Sequence, residues 1–271
     1  MQNALDLTPE QRKLNQEFDQ LKKKYASLML TLEEMRQHDG PKLTALYLSL
    51  LGNKKYEILN LQVEIKTLEM RKQLLQSYIN RDETPDLHAI NQRVETVVSD
   101  YNRVLEQEAQ RIKSAKEYLE APLLSDEDSA EIRTLYRMLV KHLHPDLNPK
   151  LTESEKDLFQ IVQEAYSTSN LDKLREISLA IDTARVVGSS NYTSDIQEYI
   201  DSLKGRIANL EHKIEELKNM FPHTLKDKIF DSKWVETEQK QCADDIAQLT
   251  EKRDNLRRII EVMEEYKSQR L

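Results

Sequence analysis

Leu14, Phe18, Leu21, Tyr25, Leu28, Leu32 and Met35 follow one another at steps of 4, 3, 4, 3, 4 and 3. That spacing holds all seven side chains on one stripe of an α-helix and seats the stripe against a partner helix; it is not the alternation a strand needs. The same rhythm returns late in the chain at Ile196, Ile200, Leu203, Ile207, Leu210, Ile214 and Leu217. Two such seams call for long helices. Four glycines and seven prolines in 271 residues are too few turn-makers for a many-stranded sandwich or barrel, and they leave no glycine-rich phosphate loop. Aromatic residues at 6% are too sparse for one large globular core, so the apolar side chains lie along extended seams. The predicted fold is all-α.

Punctuation divides the chain. Thr8-Pro9-Glu10-Gln11 reads as an N-cap, a proline at the first helical position and a capping-box glutamine. His38-Asp39-Gly40-Pro41 reads as a stop. A second seam then runs through Tyr47, Leu51, Ile58, Leu61, Ile65, Leu68, Leu75 and Ile79, weakened at Gly52. The short turn between the two seams predicts an antiparallel hairpin. Thr84-Pro85-Asp86 opens a third helix with the stripe Leu87, Ile90, Val94, Val97, Tyr101, Val104, Ile112, Ala115 and Leu119, ended by Pro122. Ser189 to Ser194 reads as a linker. Met220-Phe221-Pro222-His223 separates the late seam from a last helix carrying Phe230, Trp234, Cys242, Ile246, Leu249, Leu256, Ile260 and Met263, with Arg253 inside its seam. The expected organisation is an N-terminal long-helix region over 1–121, a central module over 122–188 and a C-terminal antiparallel helical hairpin over 189–271.

Net charge is −8, and 40 Lys and Arg are interspersed with 48 Asp and Glu, so there is no broad basic surface for nucleic acid or an anionic membrane. Cys242 stands alone, which rules out an intrachain disulfide and a cysteine-based zinc cluster. Charges run through the first thirty residues, and no apolar run is long enough to span a bilayer; the expectation is a soluble, cytoplasmic protein.

Between Ser125 and Gly188 the pattern changes. Ser125 followed by Asp126, Glu127 and Asp128 starts a helix, with acidic side chains at the positive end of its dipole. Ile132, Leu135, Tyr136, Leu139 and Leu143 fall on one face. Arg133, Arg137 and Lys141 recur every four residues on another, with no acid between Arg133 and Leu143. Pro145 lacks an amide proton and turns His144 away from helical angles, so the helix ends there. Thr152-x-x-Glu155 is a capping box for a further helix that buries Leu158, Phe159, Val162, Ala165 and Tyr166. The product is a helical hairpin with a stiff polar loop and one stripe of cations.

Tyr-Arg-x-Leu-Val-x-x-Leu-His-Pro-Asp-x-Asn-Pro from Tyr136, followed by Phe-x-x-Val-x-x-Ala-Tyr from Phe159, resembles helices II and III of a J domain. J domains are the modules by which co-chaperones engage DnaK-type heat-shock ATPases; they do no covalent chemistry and need no cofactor. The whole chain, with long helices on both sides, also resembles bacterial J-like coiled-coil proteins. The resemblance implies a partner-binding set of His144, Pro145, Asp146, Arg133, Arg137, Lys141 and Tyr136. The three cations would meet an acidic surface of the ATPase, Asp146 would compete for its internal contacts, Pro145 would fix the turn, and His144 would orient the loop. Leu139, Leu143, Phe159, Val162, Ala165 and Tyr166, with Tyr136, would form the scaffold. The family's short first helix with its Asp-Tyr-Tyr signature is missing, and its packing role is expected from Glu117 to Leu119. Met138 and Leu147 stand where basic residues are usual.

Two function classes follow. In one, the chain stimulates a DnaK-type ATPase while its helical arms bind a client or partner, or pair in a homodimer. In the other, it is a coiled-coil scaffold whose J-like segment does not stimulate. A metal enzyme built on His142, His144 and Asp146, or a Ser129, Asp126 and His144 triad, is a third reading; alternate spacing on a proline-broken loop gives no convergent ligand set.

Overall fold

In the computed structural model, which describes residues 8–121, 124–149, 151–185 and 196–268, the described residues form helices and no strand. The all-α expectation holds. Helix α1 (Pro9–Glu34) starts as its sequence dictates: Thr8 Oγ1 accepts the Gln11 N–H at 3.2 Å and the Gln11 side chain accepts the Thr8 N–H at 3.0 Å.

The expected stop at Gly40-Pro41 is not a stop. A π turn over Met35–Asp39 leads directly into α2 (Gly40–Tyr47), with Gly40 at φ −59°. The Gly40 N–H donates to the Met35 carbonyl, five residues back, and a Cβ on Gly40 would sit 2.9 Å from that oxygen. Glycine here admits the close carbonyl of a π turn. The carbonyl that the Pro41 ring would otherwise strike belongs to Gln37 inside the same widened turn. A second π turn, Leu48–Gly52, precedes α3 (Asn53–Asn80). Then come α4 (Leu87–Glu120), α5 (Asp126–Leu143), α6 (Glu153–Ser167), α7 (Leu171–Arg185), α8 (Ile196–Lys218), the short α9 (Lys226–Ile229) and α10 (Ser232–Ser268). The cap of α4 is Asp86, which accepts the Ala89 N–H at 3.0 Å, two residues beyond the expected Thr84. Pro122 and the Ser189 to Ser194 linker lie outside the described residues.

The chain forms two compact units, each drawn from both halves of the sequence rather than from the three consecutive regions expected. The first joins residues 1–41 to 122–224. Its core takes Tyr25, Ala26, Met29, Leu30, Leu32 and Met35 from α1 and its π turn; Ile132, Tyr136, Leu139, Val140 and Leu143 from α5; Phe159, Val162, Ala165 and Tyr166 from α6; Leu174 and Ile177 from α7; and Leu203, Ile207, Leu210 and Ile214 from α8. Ala26, Met29 and Leu30 lie off the heptad seam and are buried as well, because α1 packs against both α8 and α5. Glu17 pairs with Lys204 and Lys24 with Glu211, each at 2.7 Å. Seven residues along α1 correspond to seven along α8, so the two helices run parallel.

The second unit joins residues 42–121 to 225–271. Ala45, Leu48, Ile112 and Ala115 form one cluster, and Leu75, Ile90, Val94 and Ile260 another. A Cβ on Gly52 would lie 3.1 Å from Ile112, so glycine lets α4 approach closely. Arg253, in the α10 seam, pairs with Asp254 and Glu64. Phe230 precedes α10 and is exposed. Val97, Tyr101 and Val104 of the α4 stripe are exposed too. Arg257 meets Glu64 and Arg71 meets Glu264, both partners rising together, so α3 and α10 are also parallel. The late helices pair with early ones, where the sequence suggested that each arm folds back on its own neighbour. Heptads specify a seam and leave the partner open.

Candidate functional site

The loop that ends α5 is built by local chemistry. Ser125 Oγ accepts the Asp128 N–H at 3.0 Å, and three acids fill the first turn. At the other end His144 takes extended angles (φ −70°, ψ 126°), as the following proline requires. The Asn148 side-chain amide folds back and donates to the Lys141 carbonyl at 3.0 Å and the His142 carbonyl at 2.9 Å. It thereby satisfies carbonyls that a helix C-terminus leaves unpaired. Leu147, at a position where a basic residue was expected, is 2% exposed and belongs to the core. Its side chain anchors the loop.

His144 sits half-buried between two rings, edge-on to Tyr25 at 5.0 Å and to Phe159 at 4.9 Å. Its Nδ1 accepts the Asp146 N–H at 3.0 Å. The neutral ring therefore carries its proton on Nε2, which lies 3.3 Å from the Tyr25 hydroxyl. That hydroxyl donates in turn to Asp146 Oδ2 at 2.7 Å. The three residues close a ring of hydrogen bonds that needs His144 neutral. Burial pushes the imidazole down to about 4, against the upward pull of the Asp146 carboxylate, and Arg206 pushes it down further. Burial, then the bond to Asp146, raises the Tyr25 phenol. The other Asp146 oxygen, Oδ1, receives Arg206 Nη1 from α8 at 2.6 Å, and Lys22 Nζ donates to Asn148 Oδ1 at 3.3 Å.

The cationic stripe divides. Arg133 donates through Nε to Glu34 Oε1 at 2.6 Å. Arg137 is exposed and Lys141 half-exposed, and neither has an ion-pair partner among the described residues. Tyr136, expected in the partner-binding set, is fully buried and stacked on Tyr166 with ring centroids 4.1 Å apart. It acts as scaffold, and its hydroxyl is buried without a hydrogen-bond partner among the described residues. Leu139, Leu143, Phe159, Val162, Ala165 and Tyr166 are all core residues.

Packing against α5 comes from α1 rather than from the end of α4. Tyr118 and Leu119 are exposed and lie in the other unit, whereas α1 brings Tyr25 to His144 and His38 to Tyr166. Ser129 and Asp126 are separated from His144 by most or all of the 18-residue α5, roughly 23 and 27 Å at about 1.5 Å per residue, so no triad forms. Among the described residues, no three His, Cys, Asp or Glu side chains converge as metal ligands.

Residues 122–177 match the family model described as the DnaJ domain. The segment is a DnaJ domain. It contains α5, the His144-Pro145-Asp146 loop, α6 and the start of α7, and the helix packed across its hairpin comes from outside the matched segment. Comparison of the chain with curated proteins and with solved structures gave no match. Among the described residues, no helix is long and apolar enough to cross a membrane.

Tyr25 and Arg206 were not read as site residues from the sequence, and Asn148 stood in the quoted motif without an assigned role. Tyr25 carried a signal: a hydroxyl at a position of an otherwise apolar seam needs a polar partner. Arg206 carried none, since an arginine beside a seam residue is ordinary.

Proposed function

We propose that the chain is a non-enzymatic co-chaperone that binds and stimulates a DnaK-type ATPase through its DnaJ domain. The observation that carries this reading is the position of Asp146: a carboxylate held at the tip of a proline-stopped helix, with exposed Arg137 and half-exposed Lys141 on that same helix. The cations attract and register an acidic surface of the ATPase, a contact that weakens with salt. Asp146 then competes for a contact inside the ATPase, Pro145 fixes the turn, and His144 orients the carboxylate through Tyr25. Arg133 joins the docking surface only after leaving Glu34. The helical arms bind a client or a second copy, and the setting is cytoplasmic.

One observation favours a second reading. The Asp146 carboxylate already has an arginine and a tyrosine from its own chain, as it would in a scaffold whose DnaJ domain no longer stimulates. Single-turnover ATP hydrolysis by the cognate chaperone separates the two. A co-chaperone raises the rate, and Asp146→Asn abolishes the rise; a scaffold leaves the rate unchanged.

A further inference from the structure

The contact that favours a scaffold also has the form of a restraint. Asp146 Oδ1 is held by Arg206 at 2.6 Å and Oδ2 by Tyr25 at 2.7 Å, so the groups that a partner cation would replace are supplied by α8 and α1. The two side chains differ in what they are built into. Tyr25 is 3% exposed, is part of the core, and belongs to the hydrogen-bond ring with His144. Arg206 lies outside the core, its side chain is 42% exposed, and that of Asp146 is 38% exposed. An open cleft of about 340 Å³ borders the pair, walled by Phe18, Pro149, Tyr199 and Ser202. A group arriving from solvent can therefore reach the ion pair without moving a helix.

We infer that Arg206 is a self-inhibitory latch, occupying the Asp146 carboxylate in the resting chain until a partner's cation displaces it. The inference rests on the proposed DnaK-type partner. An exposed ion pair is a modest restraint, and a binding-competent state populated only fractionally weakens apparent affinity by that fraction. The latch thus sets the concentration at which the chain acts and leaves its maximal effect alone. The core seam between α1 and α8 stays closed, because Leu203, Ile207 and Leu210 remain buried in it.

The test titrates single-turnover ATP hydrolysis by the cognate chaperone with wild-type chain, Arg206→Gln, Arg206→Lys, Lys204→Gln and Asp146→Asn. Arg206→Gln should lower the half-saturating concentration by about two- to fivefold with the same plateau. Arg206→Lys should stay near wild type. Lys204→Gln removes an ion pair of the same helix pair without touching the loop, and should change nothing. An unchanged or raised half-saturating concentration in Arg206→Gln, with Asp146→Asn inactive, overturns the latch and leaves the docking role of Asp146 standing. If neither wild type nor Arg206→Gln stimulates, both the latch and the co-chaperone reading fall.

Discussion

The α1–α8 pair and the α3–α10 pair are made alike and do different things. Each is a pair of parallel helices from opposite halves of the chain, closed by apolar seams and stitched by ion pairs: Glu17–Lys204 and Lys24–Glu211 in one, Glu69–Lys252, Arg71–Glu264 and Glu64–Arg257 in the other. In α3–α10 these pairs end on each other's helices. In α1–α8 three further polar side chains, Lys22, Tyr25 and Arg206, end on the His144 to Asn148 loop. The seam physics is common to both. What separates a strut from a functional element is where the polar groups beside the seam terminate.

The largest expected effects test whether the two units are equally dependent on packing. Leu139 and Leu75 are both fully buried, one in each unit, and truncating either to alanine should cost about 2–5 kcal/mol. Segment-resolved hydrogen exchange should assign the loss in Leu139→Ala to α5 and α6, with ATPase stimulation lost as well, and the loss in Leu75→Ala to α3, with stimulation kept. Equal loss of stimulation in both variants would show that the two helix pairs do not differ in function.

Acid should act on the first unit before the second. His144 titrates at about 4 in the folded chain against 6.5 ordinarily, so the unfolded chain takes up its proton first as pH falls. Stability from this residue is whole above about pH 6.5 and is lost towards pH 4, with a slope of up to about 1.4 kcal/mol per pH unit. Burial lowers His38 in the same unit and adds in the same direction. The described histidine of the other unit, His88, is exposed. Denaturant melts at stepped pH should show the slope, and His144→Gln should flatten it but for the part due to His38.

The Tyr136 hydroxyl is buried without a partner among the described residues, so Tyr136→Phe should leave stability unchanged or raise it by about 1 kcal/mol in urea unfolding. Lys252→Gln removes a surface ion pair of α3–α10 and should cost under about 1 kcal/mol, with no change in stimulation.

Much of this was legible because it is local. The capping boxes at Thr8 and Thr152, the Ser125 cap and the stop at Pro145 each depend on a few neighbouring residues, and each formed as read. Gly40-Pro41 misled for the converse reason: a local stop signal was absorbed by a π turn, whose carbonyl geometry no dipeptide announces. Pairing was illegible because a heptad stripe fits many partners, and adjacency in sequence favours hairpins where the chain makes parallel pairs. The site was half legible. His144, Pro145 and Asp146 lie in one motif, but Tyr25 and Arg206 reach Asp146 from 121 residues before it and from another helix well after it.

If Asp146 docks on a nucleotide-controlled switch, as proposed, stimulation requires a preference for one nucleotide state. The most direct measurement is the affinity of the full chain for the cognate DnaK-type chaperone loaded with ATP and with ADP, for wild type and Asp146→Asn. Wild type should bind the ATP form more tightly, and that preference should collapse in Asp146→Asn. Equal binding to both forms by wild type, or a preference that Asp146→Asn retains, would contradict the docking role of Asp146.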